Sequence, residues 1–176
     1  MHSTETTAAE ARAVRGLRDC TVSDAASICA IYNHYVERTI VTFEEAAVSV
    51  DEMVRRMADV TRSLPWLVWE QEDRVLGYAY ATPWKTRSAY RYSVETTVYL
   101  NPAVTGNGIG TVLYRSLIDR LKTLGIHCAV GGIALPNPAS VALHEKLGFV
   151  KIGQFREIGL KFGQWIDVGY WELRLP

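Results

Sequence analysis

Residues 97–125 read TVYLNPAVTGNGIGTVLYRSLIDRLKTLG, and how this stretch is understood decides the fold. Its first residues end an alternating run that begins near Tyr92. Val94, Thr96, Val98 and Leu100 fall on one side and Glu95, Thr97 and Tyr99 on the other, the period of two that marks a β-strand. Gly106, Gly108 and Gly110 follow, and then Val112, Leu113, Leu117, Leu121 and Leu124 recur at helical spacing until Gly125 stops them. With the short apolar run HCAVGGIAL after it, the stretch is a β-loop-α-β unit.

Toward the amino terminus, VRGLRDC reads as a strand. SDAASICAIYNHYVER reads as a helix capped by Ser23 or Asp24, with Ile28, Ile31, Tyr32 and Tyr35 on one face. A second helix, SVDEMVRRMADV, has Ser49 as its cap, acids in its first turn, and Val50, Met53, Val54 and Met57 at helical spacing. WLVWEQEDRVLGYAYATPW is two apolar runs joined by QEDR, a β-hairpin with Pro83 near the end of its second strand. Toward the carboxyl terminus, NPASVALHEKLGF is a helix with Pro138 in its first turn and Gly148 just past its end, and VKIGQFREIGL and WIDVGYWELRL are strands. The order β α α β β β α β α β β mixes hairpins with a βαβ crossover. It predicts an α/β (mixed α+β) fold: a single mixed, mostly antiparallel sheet with helices on both faces.

At 176 residues the chain suits one well-filled core, and residues 14–176 are expected to form one domain. Residues 1–13, polar and small with no apolar period, are expected to form a disordered tail. Lys plus Arg equals Asp plus Glu at 19 each, which leaves no broad cationic surface for a phosphate backbone and argues against a nucleic-acid partner. Cys20, Cys29 and Cys128 form no C-x-x-C pair, which fits free thiols in a reducing cytoplasm and no metal site. The chain has neither the apolar core of a signal peptide nor a run long enough to span a bilayer, so no membrane partner is expected.

A glycine loop that opens a helix presents unpaired N–H groups and the positive end of a dipole, which suits a phosphate or pyrophosphate. A P-loop requires a Lys-Ser/Thr pair where this chain has Thr111-Val112, and a dinucleotide fingerprint requires G-x-G-x-x-G where this chain has G-x-G-x-G. A plain tight strand-to-helix turn accounts for the same glycines. Two other residues stand out. Glu95 is an acid inside an apolar and Thr-rich strand, readable as a general base or as a solvent-facing strand residue. His144 shares a helical face with Val141 and Leu147 and should point inward, as a catalytic group or as a core histidine bonded to a backbone carbonyl. Asn137 is placed to cap the helix that follows it.

Taken together, IYNHYVERTIVTF, PWLVWE, GYAYATPWKTRSAYRYSVETTVYLNP, GNGIG, LPNPASVALHEKLGF and LKFGQWIDVGYWEL resemble, in order, the GNAT superfamily of N-acetyltransferases and its phosphinothricin N-acetyltransferase group. The family loop is usually written Q/R-x-x-G-x-G/A, and Thr105 stands here where Gln or Arg is expected. The resemblance implies acetyl-CoA as co-substrate. Amides of Gly106, Asn107, Gly108, Ile109, Gly110 and Thr111 would grip its pyrophosphate, and the main chain of Val98, Tyr99 and Leu100 and the side chain of Asn137 would bind its pantetheine arm.

It further implies Glu95 as the general base, partly buried against Tyr90 and Tyr92, and His144 serving the leaving thiolate or positioning the substrate. Lys85, Arg87 and Tyr90 would contact an amino-acid substrate beneath an apolar wall at Phe43, a solvated surface loop being the other reading of Lys85 and, less so, of Arg87. The five tryptophans read as core or interface residues, and FGQWIDVGYW resembles the segment that supports the family's homodimer. The expected activity is acetyl transfer to the α-amino group of phosphinothricin, methionine sulfoximine, methionine sulfone or a similar small amino acid, by direct attack of the amine. A protein or peptide N-terminal acetyltransferase and a non-catalytic acyl-CoA-binding module are the alternatives.

Overall fold

The computed structural model describes residues 16–176; the tail expected at 1–13 and the first residues of the expected domain and first strand, Val14 and Arg15, lie outside the described residues. The elements follow the predicted order: β1 (Leu17–Asp19), α1 (Ala25–Arg38), α2 (Val50–Thr61), β2 (Trp66–Gln71), β3 (Arg74–Pro83), β4 (Ser93–Leu100), α3 (Ile109–Thr123), β5 (Cys128–Leu135), α4 (Pro138–Lys146), β6 (Val150–Lys161) and β7 (Gln164–Arg174).

The seven strands form one sheet in the order β1-β2-β3-β4-β5-β7-β6. Only the β4–β5 pair is parallel, which is what the βαβ crossover through α3 requires. Every other neighbour is antiparallel, so the sheet is mixed and mostly antiparallel. The hairpin between β2 and β3 is tighter than QEDR suggests. Gln71 and Arg74 are still paired, and only Glu72 and Asp73 turn, with φ of 51° and 58°. Left-handed backbone at both turn residues matches the twist of the strands and compensates for the missing glycine.

Apolar side chains cover both faces. One cluster packs β2, β4, β5 and β7 against α3 through Leu67, Val94, Leu113, Leu117, Ile133 and Trp171. The other packs α1 and α2 through Ile28, Tyr32, Val36, Met53 and Met57 against Trp66 and Tyr78. Each fully buried Leu, Ile or Met contributes about 1.5–3 kcal/mol. The buried stripe of α3 differs from the predicted one: Leu113, Tyr114, Leu117, Ile118 and Leu121 face the sheet, while Val112 and Leu124 are exposed. The stripe needs the i, i+3, i+4 spacing that Tyr114 and Ile118 complete.

Ser49 caps α2 as expected, its Oγ accepting from the Glu52 N–H at 3.2 Å. Asp24 takes the N-cap position of α1, as expected, but its side chain makes no capping bond there. Asp24 is buried, accepts from Thr21 N–H at 2.7 Å and pairs with Arg18, whose guanidinium also reaches Glu70. Trp66 and Trp171 are core residues, whereas Trp165 is exposed. Trp165 pairs with Leu160, which is exposed too, and Val150, Ile152, Phe155 and Ile158 are exposed further along β6 of the same outer hairpin.

Candidate active site

β4 and β5 pair over three residues only, from Ser93–Cys128 to Glu95–Val130. Beyond that point residues 96–100 of β4 and 131–135 of β5 have no ladder between them. The gap belongs to a groove of about 730 Å³, lined by β4 from Glu95 to Leu100, by Gly132, Ile133 and Ala134 of β5, and by the start of α3. Asn137 just before α4, His144 of α4, and Val41, Thr42 and Phe43 of the loop after α1 add to the lining.

The glycine loop meets the groove at Gly106, Gly108, Gly110 and Thr111. Gly106 and Gly108 have φ of 84° and 82°, where a Cβ is disfavoured, and nothing lies within 4 Å of where either Cβ would stand. Gly108 is the residue before α3 and offers no capping side chain, so the first amides of a 15-residue helix open onto unfilled space. That cradle fits a pyrophosphate. Asn107 is exposed and the side chain of Ile109 turns into the core, so these two are placed to contribute backbone alone. Of the three β4 positions expected to pair through the main chain, Val98, Tyr99 and Leu100, two are already engaged: Tyr99 is paired with Tyr78 and turns its carbonyl toward β3, and Tyr35 Oη donates to the Leu100 carbonyl at 2.6 Å. Asn137 is the N-cap of α4, Oδ1 accepting from Ser140 N–H at 3.1 Å, and lines the groove as well.

Glu95 sits on β4 at the last residue before the strands part, with Oε1 3.1 Å from where a Cβ on Gly132 would stand. A larger residue at Gly132 would press on the carboxylate. Burial raises the Glu95 pKa and the positive charge of Lys85 lowers it, with a net rise. Tyr90 and Tyr92, expected to bury it, are instead 41% and 50% exposed. Those tyrosines lie in the β3–β4 connection, whose 3-10 turn at Ser88–Tyr90 stays at the surface.

His144 is buried and touches the groove. Its Nδ1 is 2.8 Å from the Ser140 carbonyl, which can only accept, so Nδ1 carries the proton. Nε2 therefore accepts, and its neighbour at 2.9 Å is the Tyr114 hydroxyl, which also lies 2.6 Å from Thr96 Oγ1. Burial lowers the His144 pKa against the bond to Ser140, so the ring is neutral at pH 7. The ring lies against Gly131, where a Cβ would stand 2.4 Å from Nε2. The core-histidine bond to a backbone carbonyl is thus present, and so is access to the groove. Tyr114 and Thr96 were not singled out in the sequence, although Tyr114 stands one turn past Gly110 on the buried face of α3.

Of the expected substrate contacts, Phe43 lines the groove, whereas Lys85, Arg87 and Tyr90 lie outside its lining and are exposed. Lys85 stands over the Trp84 ring at 4.6 Å and is close enough to act on Glu95. No group of three or more His, Cys, Asp or Glu among the described residues is placed to hold a metal, and none of their helices is long and apolar enough to cross a membrane.

A family model described as an acetyltransferase (GNAT) domain matches residues 17–169, the span from β1 into β7. The chain belongs to the GNAT acetyltransferase family. Within it, the chain is 40% identical over 156 residues to the phosphinothricin N-acetyltransferase of Streptomyces viridochromogenes, covering 89% of this chain and 85% of that one. It is 38% identical over 154 residues to the L-methionine sulfoximine/L-methionine sulfone acetyltransferase of Salmonella typhimurium, covering 87% and 90%. Among solved GNAT structures, a phosphinothricin acetyltransferase of Sinorhizobium meliloti in complex with acetyl-CoA superposes with a TM-score of 0.89 at 36% identity, covering 92% of this chain and 89% of that one.

Proposed function

We propose that the protein transfers the acetyl group of acetyl-CoA to the α-amino group of a small amino acid of the phosphinothricin, methionine sulfoximine or methionine sulfone kind, by direct attack of the amine. The observation that carries this reading is the groove itself, where a glycine cradle and a half-buried carboxylate line one cavity between parted strands. The names of relatives near 40% identity supply the substrate class.

The amides of residues 106–111 would hold the pyrophosphate, with the unpaired edge of β4 at Val98 and the side chain of Asn137 along the pantetheine arm. Thr105 lines the groove where the family carries Gln or Arg, so the backbone supplies the grip. Acetyl-CoA, when bound, supplies a thioester carbon for the amine to attack. Glu95 would take the ammonium proton, directly or through a water, and its raised pKa brings it nearer the operating pH. His144 enters neutral, and would favour the leaving thiolate by turning an N–H from its present partner. Lys85, close enough to act on Glu95, and Arg87 of the same β3–β4 connection would attract the substrate's acidic end, and Phe43 would cover its carbon chain. The exposed apolar strip on β6 and β7 supports a homodimer formed through that hairpin.

Free-thiol release from acetyl-CoA, measured with phosphinothricin, methionine sulfoximine, methionine sulfone and a short peptide in parallel, tests the reading. Fast release with one of the small amino acids is expected. Release with the peptide alone would move the assignment to an N-terminal acetyltransferase. No release with any acceptor would leave an acyl-CoA-binding module.

A further inference from the structure

Phe43 and Val41 line the groove from a loop with no secondary structure of its own, and something must hold that loop still. The residue between them, Thr42, is gripped from two sides. Lys161, the last residue of β6, is 1% exposed, and its Nζ donates to the Thr42 carbonyl at 2.6 Å across 119 residues of sequence. On the other side Thr42 Oγ1 lies 2.9 Å from Tyr32 Oη, which gives its own proton to Glu44 Oε1 at 3.0 Å, so Thr42 is the donor to Tyr32. Arg56 fixes Glu44 in turn, at 2.6 Å. Burying an ammonium is costly unless it is well bonded, so a lysine in this place is a poor choice for filling space alone.

The same strand shapes the seat of Phe43. A Cβ on Gly159 would stand 2.1 Å from Phe43 Cε1, so the ring rests directly on the backbone there. Between Phe155 and Gly159, β6 carries three residues opposite the single Asp167 of β7. That bulge is held by Asp167, which accepts from Glu157 N–H at 2.8 Å and from Gln154 Nε2 at 2.7 Å.

We propose that Lys161 and Gly159 are positioning residues that hold Thr42 and Phe43 as the acceptor-side wall of the groove and thereby set which amines bind. The proposal rests on the acetyltransferase reading above. Neither residue touches the substrate. Lys161 fixes the height of the loop, Gly159 fixes the depth of the ring, and a compact amino-acid side chain fits beneath a wall so fixed.

The test is steady-state kinetics of Lys161→Met and Gly159→Ala, each alone and in a Phe43→Ala background, using the acceptor that wild type acetylates fastest. Amide hydrogen exchange over residues 39–45 is followed in parallel. Loss of a charged hydrogen bond predicts an acceptor KM about tenfold higher or more, with the KM for acetyl-CoA within about twofold. In the Phe43→Ala background the same substitutions should raise the acceptor KM by less than about twofold, since coupled residues act through one another. Lys161→Gln, which keeps a donor for Thr42, should recover part of the loss. Exchange at residues 41–44 should quicken in Lys161→Met.

An unchanged acceptor KM, a KM for acetyl-CoA rising in step, or an equal effect without Phe43 overturns the proposal. If Lys161→Met does not fold, Gly159→Ala carries both arms, its displaced Phe43 ring quickening exchange over residues 41–44. If wild type acetylates no acceptor, the acetyltransferase reading fails separately, and unchanged exchange over 41–44 overturns the clamp by itself.

Discussion

Glu95 serves two ends that oppose each other. Burial that tunes the carboxylate for taking a proton also makes its charge expensive in the folded state. A pKa raised by folding means that the native protein binds this proton more tightly than the unfolded chain. The associated stability is complete below the unfolded pKa and is lost as pH rises through the folded one. Glu95→Gln should therefore melt higher than wild type at pH 8, with the gain gone at pH 4, when both are followed by thermal unfolding. The same variant should lose roughly 10²–10⁴-fold in kcat. For wild type the acid limb of kcat/KM should fall above the usual glutamate range near ~4.3. As residue types Glu95 and His144 were legible in the sequence, because an acid in an apolar strand and a histidine on an apolar helical face both break a pattern. Their partners were not. Gly132 beside Glu95, Tyr114 on Nε2 of His144 and Lys161 on Thr42 come from elements far away in sequence, and no local period reports a meeting between them.

At the scale of elements, the glycine loop works because of its backbone angles. Gly108→Ala places a Cβ on a residue at φ 82°, a strain of about 1–2 kcal/mol, and projects it into the space left for a phosphate. Its Kd for acetyl-CoA, by calorimetry, should weaken by about tenfold, the equivalent of ~1.4 kcal/mol. Gly110→Ala, where the nearest atom is Leu100 Cδ1 at 3.3 Å and φ is ordinary, should weaken binding less. Every strand and helix after the tail could be placed from the sequence, because periodicity and caps are local signals. The separation of β4 from β5 could not, since Thr96, Val98 and Leu100 continue to alternate after their pairing with β5 ends. The bulge in β6 was hidden for a related reason: REI carries no turn residue, and the bond from Glu157 N–H to Asp167 that fixes it reaches across to the next strand. Val112 and Leu124 misled because apolar residues at the edge of a helical stripe look like members of it.

For the whole molecule, the outer hairpin is the surface through which the proposed dimer would form. Phe155, Ile158 and Trp165 are each more than half exposed on one hairpin, at the open edge of the sheet, an arrangement that invites a partner surface. Sedimentation should give a dimer for wild type, and Trp165→Glu should shift it toward monomer. The separation of β4 from β5 has a wider consequence. Most sheets have their unpaired edges at the two rims, but this one also has two facing edges in its middle, and the fold forgoes there the cross-links that would tie its halves together. A ligand lying between them supplies cohesion as well as chemistry. Acetyl-CoA at a hundred times its Kd should add about 2.7 kcal/mol to the unfolding free energy, read as a rise in melting temperature and as slower proteolysis. In a cell the lifetime of this protein would then follow the supply of its own co-substrate. When acetyl-CoA is scarce the enzyme would be cleared sooner, and the acetylating capacity of the cell would decline through the number of intact copies as well as through their turnover.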